Sequence, residues 1–149
     1  MESLVDLVER LRALPYGRPS DRTVAGMLRE GRGTCSTKHL HLYQQLRDRF
    51  AGSDPRIVHR VYTAQPQGVV DVHRYVTAVI GGRRIELDVT FPGDPWDGRS
   101  PMPLACGPGA DHVAGDDPDA DKRALEAEHC DPTVREPYIA ALAERHRLT

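Results

Sequence analysis

The sequence has no surplus of positive charge. Lys and Arg number 20 against 22 Asp and Glu, a formal net charge of −2 with an isoelectric point near 6.4, so the basic footprint that a nucleic acid or an anionic membrane requires is missing. Long apolar runs are also missing. The first residues, Met1-Glu2-Ser3-Leu4-Val5-Asp6, carry acids where a signal peptide needs a basic stretch and then an apolar one. No membrane partner is therefore expected, and a cytoplasmic location is. Only three cysteines occur, Cys35, Cys106 and Cys130; an odd number without an export signal argues for reduced thiols and against a disulfide framework. There is no internal repeat, coiled-coil heptad or zinc-type ligand spacing. His39 and His41 are two apart on an expected helix, and His59, His112 and His146 stand alone, so neither metal nor cofactor is expected.

What is present fits one domain of 149 residues, a length at which folding buries roughly 70% of the chain's surface and a lined cleft needs no staple. Leu4, Val5, Leu7, Val8, Leu11 and Leu14 recur at helical spacing, predicting a helix over residues 3–14. A short helix capped by Ser20 or Asp21 should bury Val24, Met27 and Leu28. Gly31 and Gly33 end it, and the stripe Leu40, Leu42, Tyr43, Leu46 and Phe50 predicts a third helix that begins just after Thr34. Cys35 is thereby placed at a helix N-terminus.

The period then changes. Residues 57–63 and 69–80 are rich in β-branched and aromatic side chains, and Gly81-Gly82 supplies a two-residue hairpin turn into a strand over residues 83–90. Residues 91–118 hold six prolines and five glycines and read as one long loop, a lid or a binding wall. Trp96 within it serves either as a cleft wall or as a buried anchor. Helical segments over residues 119–149, broken at Asp131-Pro132, close the domain, whose core is expected over residues 1–92.

Three of these features carry chemistry. Unpaired amides and the helix dipole at a helix start depress a thiol pKa, and Cys35 lies there among Gly33, Thr34 and Ser36. A thiolate in acyl chemistry needs an imidazole partner and a group orienting that imidazole. If Gly81-Gly82 is a two-residue turn, Ile80 pairs with Arg83, Tyr75 with Asp88 and His73 with Thr90. His73 and Asp88 then share one face as diagonal neighbours about 7–8 Å apart. Val76, Ala78, Ile80, Ile85, Leu87 and Val89 go to the other face.

The order Cys35, His73, Asp88, with separations of 38 and 15 residues, resembles the transglutaminase-like branch of the papain-fold cysteine enzymes. The likeness runs over residues 15–92, on Gly33-Thr34-Cys35-Ser36-Thr37-Lys38-His39, Asp71-Val72-His73 and Leu87-Asp88-Val89-Thr90. Arg32-Gly33-Thr34-Cys35 is also similar to the active-site segment of arylamine N-acetyltransferases, which are considerably longer. The resemblance implies an α+β papain-like fold with a Cys-headed helix on an antiparallel sheet. It also implies Cys35 as nucleophile, His73 as general base and acid, and Asp88 as orienting acceptor. The expected activity is acyl transfer or amide hydrolysis through a Cys35 thioester, without cofactor, on a peptide or small-molecule amide or thioester. Acyl transfer from a CoA or carrier-protein thioester to a small amine, or a non-catalytic binding module, are the alternatives. No tryptophan precedes Cys35 to help hold an oxyanion; Tyr16 either takes that role or is a core aromatic with its hydroxyl satisfied at the rim. Arg18 and Lys38 are candidate substrate contacts or solvated charges.

Overall fold

The computed structural model describes residues 1–147 and has the order α1 (Leu4–Ala13), α2 (Val24–Glu30), α3 (Cys35–Arg49), β1 (Arg56–Ala64), β2 (Val69–Ile80), β3 (Arg83–Leu87), β4 (Gly109–Val113), α4 (Pro118–His129) and α5 (Pro132–Arg147). The strands form one antiparallel sheet in the order β3-β2-β1-β4. The fold is thus α+β. Among the described residues no helix is long and apolar enough to cross a membrane.

The core forms where the helical stripes meet one face of the sheet. Leu7, Val8 and Leu11 of α1, Met27 of α2, and Leu42 and Leu46 of α3 pack with Ile57, Val76, Ala78, Ile85, Leu87 and Val89. Each large aliphatic group sealed there contributes about 1.5–3 kcal/mol of burial. Ser3 caps α1 by accepting from the Asp6 amide at 3.1 Å. Gly81 and Gly82 both take positive φ, 60° and 78°, and the register from Ile80↔Arg83 to Val76↔Leu87 is the one that this turn dictates.

Three local expectations are corrected, and one alternative left open is resolved. The cap of α2 is Thr23, not Ser20 or Asp21, because the Ser20 amide and hydroxyl are taken by Glu30 at the helix's far end; Leu28 is left 49% exposed. Strand β3 stops at Leu87 rather than at residue 90. There the Val89 amide donates to His39 Nε2 and the Thr90 amide to Asp88 Oδ1, so side chains take donors that a ladder would need. The expected loop over residues 91–118 contains β4, an exposed edge strand on β1 stapled by two Arg60–Asp111 hydrogen bonds of 2.7 and 2.8 Å. Gly109 is required in β4 because a Cβ there would overlap the Val61 carbonyl. Finally, Trp96 is an anchor: it joins the main core, and its indole N–H donates to the Ser100 carbonyl at 2.8 Å.

Candidate active site

Cys35 is the first residue of α3, and its neighbourhood explains why the helix starts there. The Thr34 hydroxyl accepts from the Ser36 amide at 3.3 Å, while the Thr37 hydroxyl accepts from the Thr34 amide at 3.2 Å. This reciprocal cap satisfies donors that a helix start otherwise leaves open. Just upstream, the Gly17 amide donates to Gly33 O and the Gly33 amide to Pro15 O, at 3.2 and 3.1 Å. That short bridge brings Tyr16 alongside the start of α3. Only glycine fits at 33, since a Cβ would press on Met27 Sδ and Thr37 Oγ1.

On the sheet, His73 Nε2 and Asp88 Oδ2 are 2.7 Å apart, and both side chains are almost wholly buried. Asp88 is held from three more directions, by the Thr90 amide at 3.1 Å, the Thr90 hydroxyl at 2.6 Å and the Ala105 amide at 2.8 Å. A carboxylate with that many donors stays ionised. Burial, the largest single influence, pulls the other way, but the His73 hydrogen bond and charge, with His39 and the Thr90 hydrogen bond, together outweigh it, and Asp88 lies far below the usual carboxylate range. His73 would be lowered by burial. Its hydrogen bonds to Asp88 and to the Cys35 thiol instead raise it well above an ordinary histidine. With Nε2 committed to Asp88, Nδ1 is the nitrogen left to exchange a proton with the sulfur.

The Cys35 sulfur is itself buried, which by itself would raise its pKa. Lys122, the hydrogen bond from His73 and the backbone N–H of Arg74 reverse this and bring it down to about 6. The other two thiols are raised by burial. Cys35 is therefore the thiol disposed to ionise near neutrality.

Cys35 and His73 open on a cavity of about 670 Å³. Tyr62 of β1 lines it from the sheet, Tyr16 from the segment between α1 and α2, and Lys122, Arg135 and Tyr138 from α4 and α5. Tyr16 is raised well above an ordinary phenol, by burial first and then by the neighbouring Cys35; its ring packs on Phe91 at 5.2 Å. Arg18 also lines this cavity, but its guanidinium is engaged by the Glu136 carboxylate at 2.5 and 3.2 Å. Lys38 is elsewhere. It is fully buried, and its ammonium donates to the carbonyls of Leu14 at 2.7 Å and Thr90 at 2.8 Å. The expectation of Lys38 as a substrate contact is corrected: it ties the end of α1 to the segment after β3 that carries Asp88.

Sequence reasoning passed over three residues. His39, weighed only as a metal ligand, donates from Nδ1 to the Cys35 carbonyl at 2.8 Å and accepts the Val89 amide on Nε2 at 2.9 Å, which fixes its neutral tautomer and links α3 to the Asp88 segment. Arg74, fully buried, donates to His59 Nε2, the Ser36 carbonyl and Asp119 Oδ1 at 2.9, 3.1 and 2.9 Å. Its signal was legible, since alternation along β2 sets a lone cation among Val72, Val76 and Ala78. Lys122 left none, because α4 was not recognised as an inward-facing helix. Among the described residues no group of three or more His, Cys, Asp or Glu is arranged to hold a metal.

No family model and no curated protein matches the chain. Among solved structures, it is similar to a "putative cysteine protease" from Cytophaga hutchinsonii, with 20% identity and a TM-score of 0.44 over 58% of this chain. That match spans 30% of the other protein's length, so this chain is comparable to less than a third of it.

Proposed function

We propose that this protein is a cysteine-dependent enzyme that cleaves or transfers acyl groups through a Cys35 thioester, on a papain-like, transglutaminase-like core. One observation carries the reading. A buried imidazole, His73, stands between a fully clasped carboxylate 2.7 Å away and a thiol at a capped helix start. This combination needs Cys, His and Asp from three separate stretches of chain, in the mutual geometry that nucleophilic catalysis uses.

In this reading the resting site is a thiolate paired with a protonated His73. The sulfur attacks an amide or thioester carbonyl, a C–S bond forms, and the carbonyl π pair moves to oxygen. The oxyanion is held by the Cys35 amide, which in the first helical turn has no intrahelical acceptor, and by the Tyr16 hydroxyl. Collapse returns the pair to carbon and breaks the bond to the leaving group, which takes its proton from His73 Nδ1. His73, now neutral, removes a proton from the water or amine that attacks the thioester, and Cys35 leaves as thiolate. Asp88 orients the imidazole throughout.

Intact-mass screening of the full chain against amides and acyl thioesters tests this. A covalent acyl adduct on the Cys35 peptide, lost in Cys35→Ala and accumulating or lost in His73→Ala, is expected. Thioester donors whose adduct is discharged only by an amine would assign a transferase. Absence of any adduct across both classes, with Cys35 no more reactive than Cys106, would overturn the proposal.

A further inference from the structure

Helix α4 docks in an unusual way. Lys122 is its one buried residue, at 8% exposure, whereas a helix lying on a sheet normally seals Leu, Ile or Val and leaves lysine in water. Burying an ammonium is costly unless the charge is used or paired. Its carboxylate partner Glu126, 3.2 Å away, is shared with Arg135, which also holds Asp71.

The attachment of α4 explains where Lys122 is delivered. Asp119, one turn earlier on the same face, takes Arg74 Nη2 at 2.9 Å; the same guanidinium holds the Ser36 carbonyl, directly after Cys35, at 3.1 Å. Helix α4 is thus tied through one arginine to the start of α3. Lys122, three residues on, lines the same cavity as Cys35.

We propose that Lys122 is a positioning residue for Cys35: its ammonium, carried to the cavity wall by α4, supplies a second positive charge that keeps the sulfur ionised alongside His73. This rests on the reading of Cys35 as nucleophile. The charged or titratable groups facing the sulfur are His73 on β2, Tyr16 ahead of α2, Tyr62 on β1 and Lys122 on α4, with Cys106 more distant and the Lys38 ammonium turned away to the Leu14 and Thr90 carbonyls. Facing Lys122 are Glu126 on its own helix, His59 on β1 and Cys130 after α4. Around the thiol, Lys122 acts with His73 and opposes the penalty of burial. A cation that does not itself exchange the proton adds to the resting thiolate a counter-charge beyond that of His73, before the C–S bond forms.

The test is alkylation of Cys35 by iodoacetamide in the full chain, read by peptide mass from about pH 4 to about pH 9. Lys122→Met and Lys122→Gln should raise the midpoint by about one pH unit, leaving about tenfold less thiolate at about pH 5. Lys122→Arg should retain the parent midpoint. The Gln variant keeps a polar tip for Glu126 and serves if the Met variant does not fold. A low parent midpoint that is unmoved in Lys122→Gln, or a Lys122→Arg midpoint displaced as far as the Gln one, overturns this role alone. A parent midpoint near ~8.5 overturns the nucleophile reading, and Lys122 with it.

Discussion

His73 Nε2 and Asp88 Oδ2 lie 2.7 Å apart with both side chains almost wholly buried, so one carboxylate sets the imidazole's orientation and holds one of its protons. Asp88→Asn keeps the volume but offers the ring an amide, and the Thr90 and Ala105 donors must then compete for a single oxygen. Turnover of any acyl substrate should fall on the order of 10³–10⁴-fold, as expected when a triad's orienting acid is lost. In the same variant, the His73 imidazole should titrate nearer its ordinary value by NMR. A retained high value would show that Asp88 does not set the ring's basicity.

The three thiols should separate by pH. Cys35 is held at about 6 while burial raises Cys106 and Cys130. Labelling at about pH 6.5 should therefore fall on Cys35 and be abolished in Cys35→Ser, with the other two thiols reacting only toward alkaline pH. Equal labelling of all three would contradict this.

Acid should destabilise the fold through two buried histidines. Burial lowers His39 from 6.5 to about 4 and His59 to about 3. A histidine depressed in the fold binds its proton more readily when unfolded. Its contribution is therefore complete above about pH 6.5 and is lost as pH falls toward the folded value, by about 3 kcal/mol for His39 over that window. His73, raised in the fold, contributes fully below pH 6.5 and fades only as pH rises through its folded value, so it does not offset this loss. Urea unfolding at about pH 7 and about pH 4.5 should show the decline, and His39→Gln, though weaker at neutrality, should show a shallower one.

Lys38→Met should damage stability and site together. Removing the ammonium strands the buried Leu14 and Thr90 carbonyls, at a cost of about 2–4 kcal/mol. Because the Thr90 amide and hydroxyl clasp Asp88, amide shifts in NMR spectra should spread from Thr90 to Asp88. Changes confined to Leu14 would argue that Lys38 does not support the carboxylate.

Gly33→Ala should lower stability by about 1–3 kcal/mol through overpacking against Met27 and Thr37. It should also displace Tyr16, whose bridge to residue 33 would open, and a Tyr16 ring environment unchanged by NMR would refute the link.

Elements whose causes are local are legible in the run of residues that forms them. Periodicity and the Thr34 cap set α3 with Cys35 at its head, β-branched runs set β1 and β2, and Gly81-Gly82 imposed the hairpin register that brings Asp88, just past the end of β3, beside His73 of β2. Tertiary structure alone decided what surrounds them. The early end of β3 depends on His39 reaching the Val89 amide from another element. Burial of Lys38 depends on two carbonyls 76 residues apart in sequence, Leu14 and Thr90, meeting at one ammonium. Edge strand β4 has no pattern of its own because every residue in it is exposed; it forms because β1 offers a free row of backbone groups. The inward turn of Lys122 follows from Asp119 finding Arg74, a contact between residues 45 apart. Short-range preferences are written in neighbouring residues, whereas the charge balance around the sulfur is a sum over groups that only folding brings within a few ångströms of one another.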